Sequence, residues 1–243
     1  MAQLFSKNTN YLAKVGVLTL ALVVGSLIGI AIGLYNSPFY SNQNTIQPQP
    51  VPFSHAHHVK GLGIDCRYCH TSVEKSGYAG IPSTKTCMTC HSQLWTNAAL
   101  LEPVREAYRT GQAVQWTKVH NLPDFVYFNH SIHVAKGVAC ITCHGAVDKM
   151  PLMYQKNSLS MRWCLECHRN PQKFIGLKEK VFETGESEPP QVSEVVEELL
   201  AKGDITPEEA KNYQGYSSVG KVLVKAYHIK PKIKLADCYT CHR

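Results

Sequence analysis

All ten cysteines among the 243 residues fall in five copies of one pentapeptide. The copies are Cys66-Arg67-Tyr68-Cys69-His70, Cys87-Met88-Thr89-Cys90-His91, Cys140-Ile141-Thr142-Cys143-His144, Cys164-Leu165-Glu166-Cys167-His168 and Cys238-Tyr239-Thr240-Cys241-His242. C-x-x-C-H is the attachment signature of a c-type haem. Its two thiols bond to the porphyrin vinyl groups, and the adjoining histidine becomes the proximal iron ligand. A zinc ribbon is the main competitor, because seventeen residues separate Cys69 from Cys87 and twenty separate Cys143 from Cys164. Zinc leaves Cys238 and Cys241 without a partner pair, and neither zinc nor a disulfide framework explains a histidine after every second cysteine. The residues therefore spell five covalently bound c-type haems, with His70, His91, His144, His168 and His242 as proximal ligands.

Six-coordinate irons need distal ligands as well, and seven histidines lie outside the pentapeptides. Four belong to an internal repeat. Phe53-Ser54-His55-Ala56-His57-His58-Val59 precedes Cys66, and Phe128-Asn129-His130-Ser131-Ile132-His133-Val134 precedes Cys140. The repeat F-x-H-x-x-H-V, each time followed by two attachment sites, implies two diheme units by duplication. A short helix there would lay its first histidine across one haem and turn its second toward another. The distal candidates are His55, His58, His130 and His133, with His120 as the fifth. His228 and Met161 are weaker alternatives, and His57 reads as a neighbour because Ile132 occupies its place in the second copy. A methionine in that position would raise the iron's potential relative to a bis-histidine site.

The elements that must position these groups are limited. Four sites fit within 103 residues, Cys66 to His168, too few for each to own a polypeptide core. The expected fold is mainly helical and irregular, with the haems as core and one N-terminal transmembrane helix. Residues 1–14 read as a cytoplasmic N-terminus, and residues 15–35 as an uncharged 21-residue span long enough to cross a ~30 Å bilayer core. Lys7 and Lys14 precede the span and no Lys or Arg follows until Lys60, which places the haem domain on the periplasmic side of the cytoplasmic membrane. No A-x-A-like site ends the run, so it reads as a retained anchor rather than a cleaved signal. Gly25, Gly29 and Gly33 recur on one face, where small residues let a second helix approach.

Residues 36–52 are polar and proline-rich and read as an extended linker to a haem domain at 53–243, with repeat units near 53–91 and 128–168 and the fifth site at 238–242. Residues 177–210 hold ten of the eighteen acidic residues and no cysteine, and read as a solvated, non-haem insert. Within it, helices are expected up to Gly203 and from Pro207; a further helix is expected to end near Gly111. The net charge of +7, with no nucleic-acid motif, favours acidic partners or anionic lipid headgroups over nucleic acid.

The uncleaved span, the doubled histidine phrase, Lys118-Val119-His120-Asn121-Leu122-Pro123-Asp124-Phe125-Val126 and Trp163-Cys164-Leu165-Glu166-Cys167-His168-Arg169-Asn170-Pro171 resemble the pentahaem cytochrome c subunit of alternative complex III, a bacterial quinol-oxidising complex. The diheme unit by itself is similar to class III multihaem cytochromes in general. The closer resemblance implies polytopic quinol-binding membrane subunits, an iron–sulfur subunit, and a monohaem cytochrome c or terminal oxidase as acceptor. It implies a respiratory-chain wire rather than a catalytic subunit, since a six-coordinate iron exchanges only electrons. Two rivals are a membrane-anchored multihaem quinol dehydrogenase acting directly on quinol, and a multihaem nitrite- or hydroxylamine-type reductase. Both need an iron with an open position.

Overall fold

The computed structural model describes residue 6 and residues 8–185, 190–213 and 215–242. Among these, helices and turns are joined by irregular chain, and two isolated bridges, Ile46 to Tyr154 and Val138 to Ile175, are the whole of the β pairing. The chain forms two units, the first ending at Thr45 and the second beginning at Ile46.

The first unit is one helix, Thr9–Tyr35, long and apolar enough to cross a membrane, followed by a short turn of helix at Pro38–Ser41. The helix begins six residues before the expected Val15, because nothing in Thr9–Lys14 breaks it. It ends where the Asn36 side chain donates to the Ile32 carbonyl (2.8 Å), two residues before Pro38. Lys7, half of the charge asymmetry that oriented the span, lies outside the described residues.

The segment expected to be a free linker is, in its second half, part of the second unit. Gln49 exchanges two hydrogen bonds with the Thr117 backbone (2.9 and 3.0 Å), and the Thr117 hydroxyl donates to the Pro48 carbonyl (2.8 Å). Val51 is buried with Leu101 and Val104, against Cys87, Met88 and Trp116. Its polar composition concealed this because the anchoring runs through one glutamine and one valine.

A second departure concerns residues 177–210. The expected helices form, at Val192–Lys202 with Gly203 left-handed (φ 74°) and at Pro207–Tyr213. Thr206 and Glu209 cap the latter reciprocally, the Thr206 amide donating to Glu209 (2.8 Å) and the Glu209 amide to the Thr206 hydroxyl (3.3 Å). These helices are not a solvated appendage. Val195, Leu199 and Ile205 join Val222 and Leu223 of the helix Val219–Ala226 in an ordinary apolar core. Each such fully buried side chain contributes about 1.5–3 kcal/mol. Acidic residues occupy the outer faces of the same helices, so charge counting saw the outside and missed the stripe. Glu186 and Glu188 lie outside the described residues.

This core leans on the segment that follows the fourth pentapeptide. Helix Val219–Ala226 packs on Pro171–Lys173 so closely that a Cβ on Gly220 would collide with the Gln172 carbonyl. Gly220→Ala is therefore expected to destabilise the folded domain by about 1–3 kcal/mol. Denaturant unfolding followed through the tyrosine and tryptophan signal measures it, and an unchanged midpoint would refute the contact.

Candidate haem-binding sites

Each pentapeptide lies on helix: Cys66–Cys69, Thr84–His91, Cys140–His144, Met161–Arg169 and Cys238–Cys241. Cysteines three apart on a helix share a face, which presents both sulfurs to one ligand edge. Side chains start three of these turns: Asp65 accepts from the Arg67 amide (2.8 Å), Asp237 from the Tyr239 amide (3.0 Å) and Ser160 from the Trp163 amide (3.4 Å). None of the ten cysteines is paired in a disulfide. Burial, aided by nearby sulfurs, pushes Cys143 up to about 12 and Cys140 to about 11. Burial, then Glu166, takes Cys167 to about 11. Burial thus disfavours the thiolate form at these positions.

Four of the five histidines in these motifs have their Nδ1 tied to a backbone carbonyl. His70 donates to Gly80 (2.7 Å), His91 to Leu94 (3.2 Å), His168 to Leu235 (2.7 Å) and His242 to Phe125 (2.9 Å). A carbonyl only accepts, so the proton sits on Nδ1 and the Nε2 lone pair is left for a metal. Three repeat histidines are set the same way: His58 on Ser54 (2.8 Å), His133 on Asn129 (2.7 Å) and His130 on Gly77 (3.0 Å).

The two repeat segments have matching ring geometry. Phe53 meets His55 edge-on (4.9 Å, 88°) and stacks on His58 (4.4 Å, 25°); Phe128 meets His130 edge-on (4.7 Å, 86°) and stacks on His133 (4.6 Å, 23°). The phenylalanine is a wedge that holds the two imidazoles apart. The first unit has six residues between Val59 and Cys66 where the second has five between Val134 and Cys140. Its helix, Ala56–Gly61, is a π-helix with the Leu62 amide on the His57 carbonyl (3.0 Å), whereas His130–Ala135 is α-helical. One wide turn absorbs the extra residue and keeps the histidines in place.

Across from the motif histidines lie the expected imidazoles. His58 and His91 have ring centroids 6.3 Å apart, His130 and His144 6.3 Å, and His133 and His168 6.1 Å. An iron held about 2 Å from a nitrogen of each ring needs roughly 6 Å between centroids, so these pairs fit it. His55 lies in the field of His70. His120 is closer to His144, 4.3 Å and edge-on, which leaves no room for an iron between those two rings. Its Nε2 is buried without a hydrogen-bond partner, as is Nδ1 of His55. His228 is exposed at the end of a helix, with φ at 49°, and Met161 is 68% exposed. His57 points outward near Trp95.

Helical turns bearing paired thiols, with imidazoles facing each other at iron-spanning distance, make up a multihaem c-type cytochrome. Comparison with known proteins agrees. A family model described as cytochrome c7 and related cytochrome c matches residues 126–194. The chain is 32% identical over 170 residues to the menaquinone reductase multiheme cytochrome c subunit of Nitratidesulfovibrio vulgaris strain Hildenborough, covering 60% of this chain and 79% of that one. The chain belongs to the multihaem cytochromes c, and haem c is its cofactor.

Before any iron is bound, burial disfavours the charged form of three of these imidazoles. His55 is lowered to about 4 by burial and then by His70 and His58. His120 is lowered to about 4 by burial and then by His130, and His144 to about 3 by burial and then by the imidazoles around it. Unfolded chain binds protons below the ordinary value of 6.5, whereas these folded sites resist until about 4. Stability must fall as pH drops through that window. Denaturant midpoints between pH 7 and 4 are expected to decline steadily; a flat profile would contradict the buried, neutral imidazoles.

Proposed function

We propose that this chain is the five-haem electron relay of a membrane-bound, quinone-linked respiratory complex, anchored by the helix Thr9–Tyr35 with its haem domain on the periplasmic side of the cytoplasmic membrane. The carrying observation is the opposed imidazoles at 6.1–6.3 Å. When bound, haem supplies reversible one-electron exchange at iron. The cysteine pairs Cys66/Cys69, Cys87/Cys90, Cys140/Cys143, Cys164/Cys167 and Cys238/Cys241 would hold it covalently, and His70, His91, His144, His168 and His242 would each bind the iron of their own motif. His55, His58, His130 and His133 would supply second imidazoles. His120, whose buried Nε2 has no hydrogen-bond partner, is the fifth candidate ligand. With two imidazoles bound, an iron would have no place for substrate, and the chain would conduct rather than catalyse.

The resemblance to the pentahaem subunit of alternative complex III supports a quinol-oxidising complex, with membrane subunits and an iron–sulfur subunit on one side and a monohaem cytochrome c or terminal oxidase on the other. The relative's name supports the opposite direction, toward menaquinone. Rates with quinol and oxidised carrier, against quinone and reduced carrier, decide between them in the purified complex.

The mature chain is expected to weigh five haems more than its polypeptide and to show only low-spin iron. His58→Ala and His120→Ala should each convert one haem of the five to high spin. High-spin iron in the unaltered complex would favour direct action on quinol, and a mass short of five haems would end the relay reading.

A further inference from the structure

The five attachment sites, numbered along the chain, are not neighbours in that order. The motifs of sites 1 and 2 are joined by the Tyr68 and Thr89 hydroxyls (2.9 Å), and one helix, entered at His55, carries His58 to face His91. Site 1 then meets site 3 reciprocally. Gly77, seven residues beyond His70, accepts the Nδ1 proton of His130, whose ring faces His144. Met150, six residues beyond His144, accepts the amide of Ala56 (3.0 Å). Sites 3 and 4 share the helix His130–Ala135, with His130 toward His144 and His133 toward His168. Leu235, three residues before Cys238, takes the Nδ1 proton of His168 and so ties site 5 to site 4.

Exposure singles out the two ends of this sequence of contacts. Cys90 of site 2 and Cys238 of site 5 are the two exposed cysteines of the ten. Trp95 (62%) and Tyr239 (83%) are exposed beside them.

We propose that the sites are strung in the order 2–1–3–4–5, so that site 2 and site 5 are the two ports through which electrons enter and leave. This rests on the relay reading. Electron exchange falls steeply with separation, so each site trades with those it touches, and the enclosed site 3 reaches partners only through its neighbours. The first diheme unit runs backwards relative to the second because the units meet through their leading sites.

The test uses the whole complex with one haem removed, as Cys87→Ser/Cys90→Ser or as Cys66→Ser/Cys69→Ser, and EPR-monitored potentiometry of the remainder. Each haem's charge shifts the potentials of its neighbours, so the shifted haems count the neighbours lost. The order 2–1–3–4–5 gives one shifted haem after loss of site 2 and two after loss of site 1. Chain order gives two and one, and that result, or equal counts, overturns the proposal. If a serine pair prevents loading of the other four haems, His58→Met and His55→Met give the same counts by raising one site's potential while keeping its haem. A mass below five haems in the unaltered protein defeats the relay reading itself, whatever the counts.

Discussion

The constraint on which the whole arrangement depends is a proton held in place. An imidazole offers iron one lone pair only if its other nitrogen keeps the hydrogen, and seven of the twelve histidines have that hydrogen bound to a backbone carbonyl. Four of the carbonyls lie within ten residues of their histidine. The other three are distant: Leu235 lies 67 residues from His168, Phe125 lies 117 from His242, and Gly77 lies 53 from His130. Those three imidazoles are thus oriented by distant chain, which couples motifs that are separable in sequence.

Duplication explains the interior of that object and also its asymmetry. Both copies use phenylalanine to set two imidazoles at different angles, and each sends the loop after its leading site to the histidine helix of the other. The one-residue difference between them is taken up as a π turn, which leaves the ring geometry of the copies within a few degrees. An insertion tolerated so locally indicates that the separation of the imidazoles is what is held, and the backbone is what gives.

Sequence disclosed those parts whose chemistry dictates residue type. Thioether attachment requires cysteine pairs and iron requires imidazole, so the motifs, the repeat and the facing of His58, His130 and His133 toward motif histidines were all legible. What the sequence hid is carried by backbone or by composition averages. A carbonyl acceptor has no signature, so nothing announced Gly77, Gly80 or Leu235. The core built on Leu199 and Leu223 was masked by glutamates on the opposite faces of the same helices, and the pinned segment around Val51 by its prolines. His120 was named as a fifth candidate from its place upstream of the second repeat, but its nearness to His144 needed three dimensions.

The polypeptide core and the haem-bearing chain divide the work. The core touches the second histidine repeat directly: the Lys136 ammonium donates to the Tyr227 carbonyl (2.7 Å), Lys178 lies over the Tyr227 ring (4.2 Å), and Val138 bridges to Ile175 beside the close pair Gly137 and Gly176. Lys136 and Gly137 directly follow the helix that carries His130 and His133, so the helix serving sites 3 and 4 is braced from behind by packed aliphatic side chains. The first histidine repeat has only the small cluster around Val51, Leu101 and Val104, which sits against Cys87 of site 2. Rigid ligands change little when an iron changes charge, and a relay gains speed from that stiffness. The two repeats thus draw their stiffness from two sources, a dedicated helical core for one copy and the small cluster around Val51 for the other.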